Sequence, residues 1–385
     1  MVAGERSGDL YGAELATELK TQLDSLDVFG CGGDAMRQAG VETTVDSHQF
    51  AMVGITEIVS GMPRAYRAFR ALLADVDRRR PQLAVLIDSP SLNLRLAKRL
   101  KQRRIPVIYF ISPQLWAWKK WRMRHVRERV DKMLCIFDFE ERIYRKAGVP
   151  AEYVGHPLAE MMERRTRLSR AAFFSNAGLD PTTPTVALLP GSRPSELHRL
   201  LPPMVESAAL LAKERPELQI VVPVAPGLER TPVEEAFAAR GLRPTLVNGR
   251  AAEVVGAADV AVVASGTATL ETALMLRPMV VVYRMSALSW AVGRLLVRVA
   301  FVSLVNLLSG RRLVPELLQS ALKPEAVAEE VRRLWEPGAA REAQVEGLQA
   351  LRTRLGSGPT ASRVADEVLD VMDARAKDAG PSTPR

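Results

Sequence analysis

Asp88 stands directly after an apolar run, Leu83–Ile87, and before Ser89-Pro90. Such a run reads as a buried parallel strand, and open α/β sheets bind ligands beyond the carboxyl ends of their strands. A carboxylate there is placed to take a proton from an incoming hydroxyl. Capping the next helix is the commoner task for a lone aspartate, and position alone does not separate the two. A second place is Val2-Ala3-Gly4-Glu5-Arg6-Ser7-Gly8-Asp9, a glycine turn into a helix. Gly4 and Gly8 allow a ligand close to the backbone, and Ser7 or Asp9 can cap. Ser7 and Gly8 are candidate contacts, against the alternative of a plain strand-to-helix turn. The dinucleotide fingerprint G-x-G-x-x-G is absent.

The second half carries more. Leu188-Leu189-Pro190-Gly191-Ser192-Arg193 ends a strand in a turn of small residues, with Glu196 in the helix that follows. The guanidinium of Arg193 forks across phosphate oxygens as a lysine cannot. Val260–Ala264 then runs into Ser265-Gly266-Thr267, which opens a helix, and free N–H groups at such a start attract anions. Glu271, farther along, is an acceptor for ribose hydroxyls. Together these favour a nucleotide diphosphate over a bare phosphate.

Other chemistries find little support. His48, His125, His156 and His198 are scattered without ligand spacing, so no metal site and no cofactor are expected. His156, in Val154-Gly155-His156-Pro157, is a candidate ligand contact at the domain junction. No G-x-S-x-G elbow appears. Cys31 and Cys135 lie in apolar stretches, which fits a reducing compartment.

Elements able to position these residues alternate along the chain. Strands are predicted at Leu83–Ile87, Val107–Ile111, Met133–Ile136, Val186–Leu189, Leu218–Val222, Asp259–Val263 and Met279–Tyr283. Helices are predicted at Asp9–Leu23, Pro63–Arg80 and Leu92–Arg103. The pattern implies an α/β protein of two Rossmann-like domains facing across a cleft. The predicted division is 1–160, 161–345, C-terminal helices over 346–376 packing back on the first domain, and a disordered tail at 377–385. Monomer and homodimer both stay open, since the last helix can pack on its own chain or on a second one.

With 385 residues, two domains fit easily. The balance of 53 Lys+Arg against 44 Asp+Glu gives +9, which favours anionic partners. Nucleic acid is not expected, because the basic residues form no recognisable reading element. No signal peptide or membrane span is visible. Two stretches do suit a lipid interface, Met52–Leu73 and Ser289–Val302, which mix arginines with aromatic and aliphatic residues. In the first, Met52, Val53, Ile55, Ile58, Val59, Arg64, Arg67, Phe69, Arg70 and Leu73 are the candidate membrane contacts. The alternative is that each stretch packs its apolar face inside the fold.

The strings VAGERSGD, MVGITEI, LIDSPSLNLRLAK, YFISPQLWAW, FDFEERIY, VGHPLAE, LLPGSR, ASGTATLE and SLVNLLSGRRLVPELLQ resemble, in order, those of the lipid-A-disaccharide synthases. The resemblance covers Met1 to about Gln319. It implies a two-domain glycosyltransferase of the GT-B type that works on the inner face of the inner membrane, facing the cytoplasm. Its substrates would be UDP-2,3-diacylglucosamine and 2,3-diacylglucosamine 1-phosphate, joined through the 6-hydroxyl with inversion, on an anionic membrane surface. By resemblance Asp88 is the general base. Arg193 and Asn306 serve UDP-sugar binding or turnover, and Glu316 and Gln319 fall where the nucleotide is held.

Two departures stand out. Only Met1-Val2-Ala3 precede the glycine turn, which is short for a central strand. Arg6 replaces a usual small residue, and Val305 stands where proline is expected. Rival readings are another GT-B enzyme acting on UDP-N-acetylglucosamine, and a non-catalytic membrane-bound nucleotide-sugar binding protein.

Overall fold

Wholly apolar runs such as Ala84–Ile87 and Val260–Ala264 have no polar face to give to water, so both faces are covered, as parallel sheets require. The computed structural model describes residues 1–50, 55–113, 115, 123–165, 170–286, 290, 300–356 and 358–378. They form two compact units, Met1–Pro157 with Ser357–Arg385, and Leu158–Gly356.

The first unit holds a parallel sheet of seven strands. These are β1 (Val2–Ala3), β2 (Phe29–Gly32), β3 (Glu42–Asp46), β4 (Ala84–Ile87), β5 (Val107–Phe110), β6 (Lys132–Cys135) and β7 (Ala151–Tyr153). Their order is β3-β2-β1-β4-β5-β6-β7. The second unit holds a parallel sheet of six: β8 (Thr185–Leu189), β9 (Gln219–Val224), β10 (Thr245–Asn248), β11 (Val260–Ala264), β12 (Met279–Tyr283) and β13 (Glu316–Leu318), ordered β10-β9-β8-β11-β12-β13. Strand order reverses at β1/β4 in one sheet and at β8/β11 in the other. Connections leave such a pair in opposite directions and open a crevice at the strands' carboxyl ends.

β1 is as short as the sequence implies, yet it is well held. Val2 pairs with Cys31 on one side and Leu86 on the other, and the Met1 amine donates to the Phe29 carbonyl at 2.8 Å. The strands that patterning misses have a common cause. β3, β7, β10 and β13 lie at sheet edges, where polar residues are tolerated, and β2 (FGCG) is half glycine.

The C-terminal helices differ from the predicted grouping. The helix Ala339–Leu355 stays whole within the second unit, where the side-chain oxygen Oε1 of Gln344 accepts the Met279 N–H at 2.7 Å. Only the helix Thr360–Asp378 returns to the first unit, burying Val364, Ala365 and Val368 and pairing Glu367 with Lys132. Residues 379–385 of the predicted tail lie outside the described residues.

Candidate active site

In the first unit the β1/β4 reversal brings the glycine turn and Asp88 together. A β-carbon on Gly4 would stand 2.6 Å from Ser89 Oγ, so only glycine lets the two turns meet. Gly8 is also a packing residue, with a hypothetical β-carbon 3.2 Å from that of Ala3, and Ser7 is half-buried at the helix start. Asp9 does not cap its own helix. Its carboxylate accepts the N–H groups of Gly33, Ala35 and Met36 at 2.6, 3.0 and 3.1 Å, fastening the loop after β2.

Asp88 and Ser89 both adopt left-handed backbone, with φ of 51° and 44°. For residues with a β-carbon this costs about 1–2 kcal/mol each, and Pro90 restricts Ser89 further. Strain of this kind collects where a side chain must be aimed. The Asp88 carboxyl is half-buried, and burial raises its pKa to about 6, assisted by the charge of Glu5 and opposed by the Ser89 N–H. A carboxylate so tuned is a competent base near neutral pH. Two residues beside this turn, Asn93 and Tyr109, fall within the quoted strings but were not singled out as site residues; both are fully buried. The available signal was a carboxamide at the buried spacing of Leu92, Leu94 and Leu96 and a lone hydroxyl in Val107–Ile111. His156 is buried against Phe137 with ring centroids 5.4 Å apart, and burial drops its pKa to about 3, so it is neutral.

In the second unit, the turns after β8 and β11 emerge side by side. Gly191 has φ 113°, and a β-carbon there would stand 2.5 Å from Glu196 Oε2. That carboxylate accepts the Ser192 N–H at 2.9 Å and pairs with the exposed Arg193 at 3.2 Å, at the start of the helix Pro194–Glu214. At β11 the Ser265 N–H completes the ladder to Val282 at 3.0 Å. Gly266 and Thr267 are exposed at the start of the helix Thr267–Leu274, which carries the half-buried Glu271. One end of this unit therefore gathers a guanidinium, a glycine turn and a helix start, the donors a diphosphate needs.

Asn306, Glu316 and Gln319 are engaged with their own chain. Glu316 accepts the Val302 N–H at 3.1 Å and both the N–H and hydroxyl of Ser303, at 2.9 and 2.7 Å. Gln319, with φ 52°, pairs its side-chain amide with both backbone groups of Met285, at 3.1 and 3.2 Å. The two ends of β13 thus brace the chain on either side of residues 287–299. Asn306 is fully buried within that network. Val305, where proline was expected, is fully buried as well.

The helix Ile55–Arg79 has two faces. Ala68, Leu72 and Val76 are buried, and Phe69 and Leu73 pack against the same core. Helical periodicity therefore turns Phe69 and Leu73 inward, which corrects their reading as membrane contacts. Outward lie Met62 and Tyr66, 59% and 62% exposed, with Arg64, Arg67 and Arg70 around them. Met52 and Val53 lie outside the described residues, as do the side chains of Ile55, Ile58 and Val59 and most of Ser289–Val302. Among the described residues no helix is long and apolar enough to cross a membrane.

Residues 1–363 match the family model described as lipid-A-disaccharide synthetase. The chain belongs to the lipid-A-disaccharide synthase family. The lipid-A-disaccharide synthase of Myxococcus xanthus is 50% identical over 372 residues, 97% of each chain, and that of Geobacter metallireducens 40% identical over 372 residues, 97% of this chain and 96% of the other. As a lipid-A-disaccharide synthase family member, the chain is a glycosyltransferase of lipid A synthesis. Solved structures share its GT-B fold at low identity. The UDP-GlcNAc 2-epimerase of Neisseria meningitidis bound to UDP-GlcNAc has a TM-score of 0.61 at 10% identity, covering 96% of this chain and 98% of its own. The glycotransferase of kitacinnamycin has a TM-score of 0.60 at 15%, covering 93% and 94%.

Proposed function

We propose that this enzyme transfers 2,3-diacylglucosamine from UDP-2,3-diacylglucosamine to the 6-hydroxyl of 2,3-diacylglucosamine 1-phosphate, with inversion at the transferred anomeric carbon. Asp88 takes the hydroxyl proton as O6 attacks C1. The C1–oxygen bond to the diphosphate breaks, and UDP leaves with the bonding electrons. Gly191, Ser192 and Arg193, with Ser265, Gly266, Thr267 and Glu271, hold the nucleotide and stabilise the charge that develops on the diphosphate. Ser7 and Gly8 shape the turn beside Asp88. Asn306, Glu316 and Gln319 form the wall of the donor site. Arg64, Arg67 and Arg70 with Met62 and Tyr66 rest on the anionic inner face of the inner membrane, where acylated substrates reside.

The observation that carries this reading is Asp88 itself, a half-buried carboxylate with its pKa raised to about 6 on a strained turn at the β1/β4 reversal. A turnover assay with both acylated substrates in detergent micelles, with EDTA present, tests it. Disaccharide 1-phosphate and UDP forming together is the expected result. Turnover of unacylated UDP-N-acetylglucosamine, with the acylated pair inert, would assign the chain to other chemistry.

A further inference from the structure

Holding two successive left-handed residues that carry β-carbons requires something outside the turn. The Asp88 backbone carbonyl supplies the point of attachment. It accepts the Tyr109 hydroxyl at 2.5 Å and the Asn93 side-chain N–H at 2.8 Å, and the same Asn93 nitrogen reaches the Ile87 carbonyl at 3.0 Å. On the other side of the residue, the Asp88 N–H donates to the Phe110 carbonyl at 2.9 Å. Tyr109 and Asn93 have no solvent exposure. Tyr109 belongs to β5, whose pairing with β4 fixes its height (Leu86 opposite Tyr109, Ile87 opposite Phe110). Asn93 belongs to the helix Pro90–Gln102, one turn past Ser89, and its backbone N–H donates to the Ser89 carbonyl at 2.9 Å.

We propose that Asn93 and Tyr109 are positioning residues for the Asp88 base, a paired latch on the Asp88 carbonyl that keeps the turn left-handed and aims the carboxylate. The inference rests on the reading of Asp88 as the base. Two features of the latch bear on aiming. Both donors converge on the Asp88 carbonyl, and the Asn93 nitrogen also reaches the Ile87 and Val2 carbonyls, at 3.0 and 3.5 Å, tying the turn to the ends of β4 and β1. Asn93 Oδ1 and Ser89 Oγ, meanwhile, are buried without a hydrogen-bond partner among the described residues, so the carboxamide is placed for its donors at the expense of its acceptor. Releasing the latch lets the turn relax to right-handed or extended backbone, which swings the carboxylate off line and lets water reach it.

The test uses the full chain and three variants, Tyr109→Phe, Asn93→Ala and Asp88→Asn. The readouts are kcat, donor KM, the pH profile of kcat/KM, UDP binding and thermal melting. Tyr109→Phe, which removes one oxygen and keeps the ring, is expected to lower kcat about tenfold and Asn93→Ala about 100-fold, the scale of small misplacements of a reacting group. Donor KM and UDP affinity should stay within about twofold, since both side chains are fully buried and bond to the Asp88 turn rather than to any residue assigned to the nucleotide. The acidic limb of kcat/KM should move to lower pH, because a better solvated Asp88 loses the burial that raises its pKa. Rates falling only with melting temperature, the acidic limb unmoved, would mark the pair as structural and overturn the proposal. If Asn93→Ala does not fold, Tyr109→Phe decides by the same criteria. Wild-type turnover in Asp88→Asn would overturn the base reading and the latch with it. An inactive Asp88→Asn beside a Tyr109→Phe with unchanged kcat and pH limb would overturn the latch alone.

Discussion

The Asn306 carboxamide donates to the Glu316 carboxylate at 2.8 Å, and its own oxygen accepts the N–H groups of Leu313 and Val314 at 2.7 and 2.8 Å. With the Val314 carbonyl bonded at 2.9 Å as well, the amide's hydrogen-bonding capacity is spent inside the chain. Asn306→Ala leaves Glu316 its two Ser303 donors but takes a partner from the N–H groups of Leu313 and Val314 and from the Val314 carbonyl. It should cost roughly 2–4 kcal/mol of stability and lower the melting temperature by several degrees. UDP binding, titrated well below that melting point, should weaken far less than stability does. A variant that melts like the wild type but no longer binds UDP would instead make Asn306 a ligand contact.

The carboxyl of Asp88 sets a pH dependence whose sign follows from its raised pKa of about 6. Only the carboxylate accepts a proton, so kcat/KM should fall about tenfold per pH unit below 6 and level off above it. Asp88→Asn should lower kcat by about 10²–10⁴-fold with UDP affinity unchanged.

Stability should move the other way in that same variant. Between the unfolded carboxyl value of 3.8 and the folded value of about 6, the native state holds a proton that the unfolded state releases. Wild-type stability from this group is therefore present below about pH 4 and is lost as pH rises through 6. Asp88→Asn lacks the penalty and should be more stable than the wild type at pH 8, by about 1–3 kcal/mol, with the gap closing by pH 4. Melting curves at the two pH values measure it.

Gly191 admits no side chain at φ 113° with the Glu196 carboxylate packed over it. Gly191→Ala must either strain the turn or push Glu196 away from Ser192 and Arg193. We expect a loss of about 1–3 kcal/mol in stability and weaker UDP binding by calorimetry. Unchanged values of both would show that the turn relaxes freely.

Arg64, Arg67 and Arg70 lie on the outer face of the helix Ile55–Arg79. At about 1 kcal/mol per cation near an anionic surface, replacing all three with serine should weaken vesicle binding by roughly 100-fold at moderate salt, and less as salt rises. Sedimentation with anionic vesicles reads this directly, and equal binding by both proteins would remove the helix from the membrane contact.

Periodicity and local chemistry made much of this molecule legible. Apolar runs such as Val107–Phe110 and Val260–Ala264 read as strands covered on both faces, and the Ser265-Gly266 turn after the second pointed to the end where ligands bind. The edge strands β3, β7, β10 and β13 escaped because an edge tolerates the polar residues that patterning reads as loop. Phe69 and Leu73 were read outward because composition marks a helix as amphipathic without saying which side faces the core.

What the chain's own order of residues determined is the two-unit α/β fold, the family, and Asp88 and Arg193 as the places to look. Which groups act on those residues was decided only by tertiary structure. Tyr109 stands 21 positions from Asp88, and Glu316 stands 13 from Ser303. No local pattern encodes such pairs, because a hydrogen bond depends on where β-strand register and helix packing bring its atoms. For the same reason the pKa of Asp88 is a property of its burial beside Glu5, which forms when β1 pairs with β4.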